Sequence, residues 1–190
     1  MKHLLIGVLL LGAQVLYAQP SGLRVGEKAP DFSATDQHGQ LVQLEKLVKK
    51  GPVVVFFYRG QWCPYCNKQI KQMQDSLQLL SAKGASVLAV SPEIQENIAK
   101  TVSKTKAEFP VLHDEGLRIM NAYKVTYAVD PATIDRYKKF NIDFNQVNGT
   151  NGAKLPVPAV YIIKNGVISY RYFNEDYTKR PSIRELVQQL

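Results

Sequence analysis

Two cysteines, one tryptophan and three histidines are few for 190 residues. Two cysteines cannot build a multi-disulfide scaffold. No apolar run reaches the roughly 20 residues that a spanning helix needs, so a multi-pass membrane protein is excluded. Internal repeats, linkers and low-complexity tracts are missing, so one domain is enough. The basic residues at Lys49-Lys50, Lys100 to Lys106, Arg136 to Lys139 and Lys179 to Arg184 do not alternate with aromatics in a way that suggests a base-stacking surface. They read as a solvated surface with no nucleic-acid partner.

What is present is ordinary for a globular chain: 45% hydrophobic, 21% charged, net charge +8. Residues 1–18, MKHLLIGVLLLGAQVLYA, have a short basic start, an apolar stretch from Leu4 to Leu16 and a small residue at Ala18. That pattern is a cleaved signal peptide. An exported protein is expected, periplasmic or otherwise extracytoplasmic, with a domain over 19–190 and no stable membrane span.

Asp31 to Thr35 and Leu41 to Leu44 flank Gln37-His38-Gly39-Gln40, which predicts a hairpin. Val53 to Tyr58 reads VVVFFY, a strand covered on both faces. Ile70, Met73, Leu77 and Leu80 predict one amphipathic helix that ends near Lys83-Gly84. A second strand is expected at Ser86 to Val90, and a helix over Glu93 to Lys106 with Pro92 and Glu93 in its first turn. Val111-Leu112 is a short strand; Leu117 to Tyr123 and Pro131 to Phe140 are helices. Asn141 to Leu155 is a loop. Val160 to Ile163 and Val167 to Tyr172 form a hairpin around Asn165-Gly166, and Pro181 to Leu190 is a closing helix. Alternating strands and helices predict an α/β fold with a parallel or mixed sheet.

Both cysteines fall in Trp62-Cys63-Pro64-Tyr65-Cys66, where the buried strand gives way to the amphipathic helix. Pro64 suits a first helical turn. Cys63 then sits at the cap, where the helix N-terminus favours the thiolate. Cys66 lies one turn later and can attack a mixed disulfide or sulfenic acid formed on Cys63. A structural disulfide across two residues closes almost no loop and stabilises little. A metal would need two further ligands from His38 and His113, whose spacing to the cysteines is wrong. The redox reading is favoured, with no metal and no organic cofactor. His113-Asp114 reads as a solvated strand-end pair. Trp62 is read as shaping the substrate's approach. Leu155-Pro156-Val157-Pro158-Ala159 leads into a strand, and the Val157–Pro158 bond is open between cis and trans.

Five segments carry a family resemblance: Gly26 to Phe32, Tyr58 to Cys66, Phe109 to Asp114, Leu155 to Ala159 and Asp176 to Arg180. Together they resemble the peroxiredoxin-like branch of the alkyl hydroperoxide reductase/thiol-specific antioxidant (AhpC/TSA) superfamily, from about Val25 onward. The resemblance implies a thioredoxin-like fold, a central mixed β-sheet flanked by helices with an N-terminal β-hairpin extension. It implies Cys63 as the attacking cysteine and Cys66 as the resolving one. It also implies a cis Pro158 facing the pair, with the backbone of Val157 holding substrate. Trp62, Pro64 and Tyr65 complete the expected substrate contacts. Phe56 and Gly60 replace the family's proline and threonine before the reactive cysteine, and Pro158 takes the place of its late-strand arginine. Arg59 is read as a solvent-facing loop residue. On that reading thiol–disulfide exchange is favoured over peroxide reduction, with a thioredoxin-like electron donor to reset the pair.

Overall fold

The computed structural model describes residues 19–190. The signal peptide expected over residues 1–18 lies outside the described residues.

The N-terminal hairpin forms as expected. β1 (Ser33–Thr35) pairs antiparallel with β2 (Leu41–Gln43). Gly39 takes φ +73°, the left-handed conformation that glycine adopts without a Cβ penalty. A short helix, α1 (Leu44–Val48), leads to β3 (Val53–Phe57), every residue of which is buried. Next come α2 (Pro64–Asp75) and α3 (Leu77–Ala82). The single predicted helix is therefore broken at Ser76, whose φ/ψ of −109°/9° leaves the helical region. Its far end matches expectation. Gly84 and Ala85 donate to the carbonyls of Ser81 and Leu80, the paired bonds of a Schellman cap.

β4 (Ser86–Ser91) is followed by α4 (Gln95–Thr105). Glu93 is not in the first turn of α4, because Ile94 is the cap and Glu93 stays in the connection. β5 (Val111–His113) and α5 (Arg118–Ala122) follow. Asp114 is buried rather than solvated: its two carboxylate oxygens accept from the amides of Ile119 and Met120, at 2.9 and 2.8 Å. That satisfies free amides at the start of α5.

The stretch expected to be a loop is structured. β6 (Thr126–Ala128) and α6 (Pro131–Lys138) precede α7 (Phe144–Asn148), and β7 (Lys154–Pro156) pairs back onto β6. β8 (Ala159–Lys164) and β9 (Val167–Phe173) form the Asn-Gly hairpin, with Asn165 and Gly166 both at positive φ. α8 (Ile183–Gln189) closes the chain, capped by Ser182.

The central sheet has the order β5-β4-β3-β8-β9. β3, β4 and β5 are parallel, and β8 and β9 are antiparallel to their neighbours. β3 sends Val53, Val55 and Phe57 to one face, against Tyr123 and Tyr161. Val54 and Phe56, with Tyr58 just past the strand, go to the other, against Ile70, Met73, Ile98 and both cysteines. The strand period of two puts one core on each face of the sheet, and a smaller third cluster of Val129, Phe144 and Leu155 packs beside Trp62 and Tyr137. Among the described residues no helix is long and apolar enough to cross a membrane.

Candidate active site

The chain leaves β3 at its carboxyl end and turns through Arg59, Gly60 and Gln61 into α2. Cys63 is the N-cap of α2, Pro64 its first residue, and the Cys63 sulfur accepts from the Cys66 amide at 3.4 Å. A sulfur at that cap meets the positive end of the helix dipole. One turn on, the Cys66 thiol donates to the Cys63 sulfur, with Sγ to Sγ at 2.7 Å. Both cysteines are free thiols.

Arg59 is where the sequence reading is overturned. It is 3% exposed, and a guanidinium N–H donates to the Cys63 sulfur at 3.3 Å. A second N–H donates to the Tyr137 hydroxyl at 3.0 Å. The guanidinium carbon stands 3.8 Å from the centre of the Tyr177 ring and 5.1 Å from that of Trp62. Arginine is mostly exposed in proteins because burying its charge is costly. Here a thiolate and two aromatic faces replace water.

The two sulfurs are driven apart in acidity. The hydrogen bond from Cys66 comes first in lowering Cys63; burial opposes it, and Arg59 adds to the lowering, so Cys63 falls to about 5. Cys66 moves the other way, pushed up by burial and by its bond to Cys63. Burial alone would lower Arg59, but the two sulfurs beside it hold it charged. At neutral pH the pair is one thiolate and one thiol, a nucleophile with a resolving partner in contact.

Neither sulfur is reached by solvent, each being 0% exposed. Trp62 packs edge-on against Tyr137 and Phe144. Tyr177 covers Arg59 and meets Tyr65 at 5.9 Å. Arg180 donates to Gln69 at 2.7 Å and to the Cys66 sulfur at 3.6 Å. The site is thus closed by α6, α7 and the 174–182 loop.

Of the expected substrate residues, Trp62 is half-buried beside Arg59, while Pro64 and Tyr65 are exposed at the start of α2. Val157 is buried and its amide donates to Val125 at 2.8 Å, so that amide is engaged within the chain. The Val157–Pro158 bond is trans, since no described residue has a cis peptide; this corrects the cis proline implied by the resemblance. Trans is the lower-energy isomer for such a bond. A cleft of about 770 Å³ opens beside Val157, lined by Thr126, Tyr127 and Glu175 but by neither cysteine.

Sequence reasoning placed Arg59 in solvent and gave no site role to Tyr137, Tyr177, Arg180 or Glu93. Arg59 had a usable signal, standing four residues from Cys63. Tyr177 and Arg180 fall in the Asp176–Arg180 segment that the resemblance marks, whereas Tyr137 and Glu93 come from parts of the chain with no local signal.

The AhpC/TSA family model matches residues 25–171. Peroxiredoxin Q, chloroplastic, of Oryza sativa subsp. japonica is 32% identical over 151 residues, which are 79% of this chain and 59% of that protein. Thiol-disulfide oxidoreductase ResA of Bacillus cereus is 30% identical over 113 residues, 59% of this chain and 64% of that one. The chain therefore spans less than two thirds of either relative. The crystal structure of peroxidoxin BcpB from Mycobacterium tuberculosis superposes with a TM-score of 0.65 at 21% identity, over 80% of this chain and 87% of that one. This likeness is one of fold, and with the mixed central sheet it marks a thioredoxin-like architecture. The chain belongs to the AhpC/TSA family.

Proposed function

We propose that this chain is a thiol-based oxidoreductase that reduces a small peroxide at Cys63. The observation that carries the reading is Arg59 bound to the Cys63 sulfur inside a closed site. Arg59 supplies the positive charge that the family's late-strand arginine would have given. A buried sulfur pair is reached more readily by a peroxide than by a folded protein. Cys63 attacks the near oxygen and becomes a sulfenic acid. Cys66, in contact with it, then forms the Cys63–Cys66 disulfide and releases water. A thioredoxin-like protein dithiol resets the pair. The apolar leader supports export, so we place the reaction outside the cytoplasm.

The test uses a Cys66→Ser variant. It should consume one equivalent of hydrogen peroxide far faster than a free thiol and carry a sulfenic acid on Cys63. A bulk-thiol rate would refute the peroxide reading.

A second reading, exchange with a protein disulfide, is supported by the 2.7 Å contact between the sulfurs and by the ResA relative. It requires Tyr177 to move off Arg59. The same variant would then trap mixed disulfides with protein substrates.

A further inference from the structure

Glu93 lies in the β4–α4 connection and is 0% exposed. Its Oε2 accepts from the Gln61 amide at 2.8 Å. Its own amide donates to the Ser91 hydroxyl, and its carbonyl meets His113 Nδ1 at 2.7 Å. Oε1 has no partner, and neither has the nearby buried indole N–H of Trp62. Both groups occupy the space beside Gly60 that a side chain would fill: a Cβ there would stand 2.7 Å from Oε1 and would also collide with the indole nitrogen. The glycine that replaces the family's threonine, three residues before the attacking cysteine, therefore makes room for the Glu93 carboxyl group beside the turn into α2.

We propose that Glu93 is the internal proton donor of this site, protonating the oxygen that leaves when Cys63 attacks a peroxide. The proposal rests on the peroxide reading above. Solvent does not reach the sulfurs, so the leaving oxygen needs a proton held inside the protein. The groups facing Glu93 are Tyr58 beyond β3, Cys63 at the start of α2, Lys100 and Lys104 on α4, and His113 on β5. Burial outweighs the two lysines and the Gln61 amide, the Cys63 charge pushes the same way as burial, and Glu93 titrates near 8. It therefore holds its proton at neutral pH.

The chemistry balances. An S–O bond forms between the Cys63 thiolate and the near oxygen as the O–O bond breaks. The departing electron pair takes the Glu93 proton and leaves as water or an alcohol. Cys66 then displaces hydroxide from the sulfenic acid; its own proton completes a second water. A protein dithiol reduces the disulfide, restoring the Cys63 thiolate and the Cys66 thiol. The proton left over returns to Glu93.

The test compares two reagents on the reduced wild type and a Glu93→Gln variant. Hydrogen peroxide has a leaving oxygen that needs a proton; iodoacetamide loses iodide, which needs none. The variant should react with peroxide about 100-fold more slowly at pH 7 and with iodoacetamide at the wild-type rate. The wild-type peroxide rate per thiolate should also fall above pH 8, while the variant's stays flat. Equal slowing with both reagents, or a wild-type rate per thiolate that is flat through pH 8, would overturn the proposal. A slow wild-type peroxide rate would refute the substrate reading instead, and the ratio of the two reagents would still judge Glu93.

Discussion

The two faces of the central sheet are built from the same strand but finished differently. On the face of Val53, Val55 and Phe57, the buried tyrosine hydroxyls have partners. Tyr161 accepts from the Leu23 amide at 3.0 Å, and Tyr123 donates to the Pro30 carbonyl at 3.1 Å. On the face of Phe56 and Tyr58, the helix side, the apolar core opens into charge. A thiolate and a guanidinium are buried together there, and Arg59 Nε, Trp62 Nε1 and Glu93 Oε1 are left without partners. Buried unpaired polar atoms are costly. A fold keeps them where they serve chemistry. One face therefore holds the structure together, and the other spends part of that stability on reactivity.

Breaking the comparison gives the largest effects. Cys63→Ser should abolish turnover with every electrophile while circular dichroism stays native. Phe57→Ala, on the opposite face, should lower stability by about 3–5 kcal/mol. It should leave the rate per folded molecule unchanged, measured by urea unfolding beside a peroxide assay. A large loss of specific rate in Phe57→Ala would show that the two faces are not separable.

Arg59→Gln removes a charge-assisted hydrogen bond worth about 1.5–3 kcal/mol. The Cys63 titration should rise by about one to two pH units, read from thiolate absorbance against pH. No rise would mean that the helix end and Cys66 alone set the acidity.

A subtler effect lies in stability against pH for the reduced protein. Cys63 falls from 9.0 to about 5 on folding, so its contribution grows as pH rises from 5 to 9. Glu93 rises from 4.5 to about 8, so its contribution shrinks as pH rises over that range. Between pH 5 and 8 the two slopes oppose and cancel. Glu93→Gln should unmask a rise of about 1.4 kcal/mol per pH unit, and Cys63→Ser an equal fall. Parallel curves for the three proteins would contradict both shifts. The smallest expected change is Tyr161→Phe. It strands the Leu23 amide and should cost about 1 kcal/mol, with the Cys63 titration unmoved.

The parts legible in the sequence were those specified locally. The VVVFFY run, the Asn-Gly hairpin, Gly84 after its helix and the cysteine pair each declare themselves within a few residues. The break at Ser76 was not legible, because Ile70 to Leu80 keep an apolar spacing through it. Glu93 looked like a first-turn acid, since Pro92-Glu93 suits a helix start equally well. Its role depends on Gly60, more than thirty residues earlier. Arg59 was misplaced by exposure statistics, which cannot see that Tyr137 and Tyr177 come from two other segments to cover it. The 141–155 stretch lacks periodicity because α7 is a single short turn of helix and β7 a three-residue strand.

The central claim is that Cys63 is a buried thiolate, while Cys66 beside it remains a thiol. The direct measurement is alkylation of the reduced wild-type protein by iodoacetamide across pH, with mass spectrometry locating the label. The account predicts a label on Cys63 alone, with a reactivity midpoint near 5, and Cys66 unlabelled through neutral pH. Both cysteines labelled together, with a midpoint near the ordinary thiol value of 9.0, would contradict it.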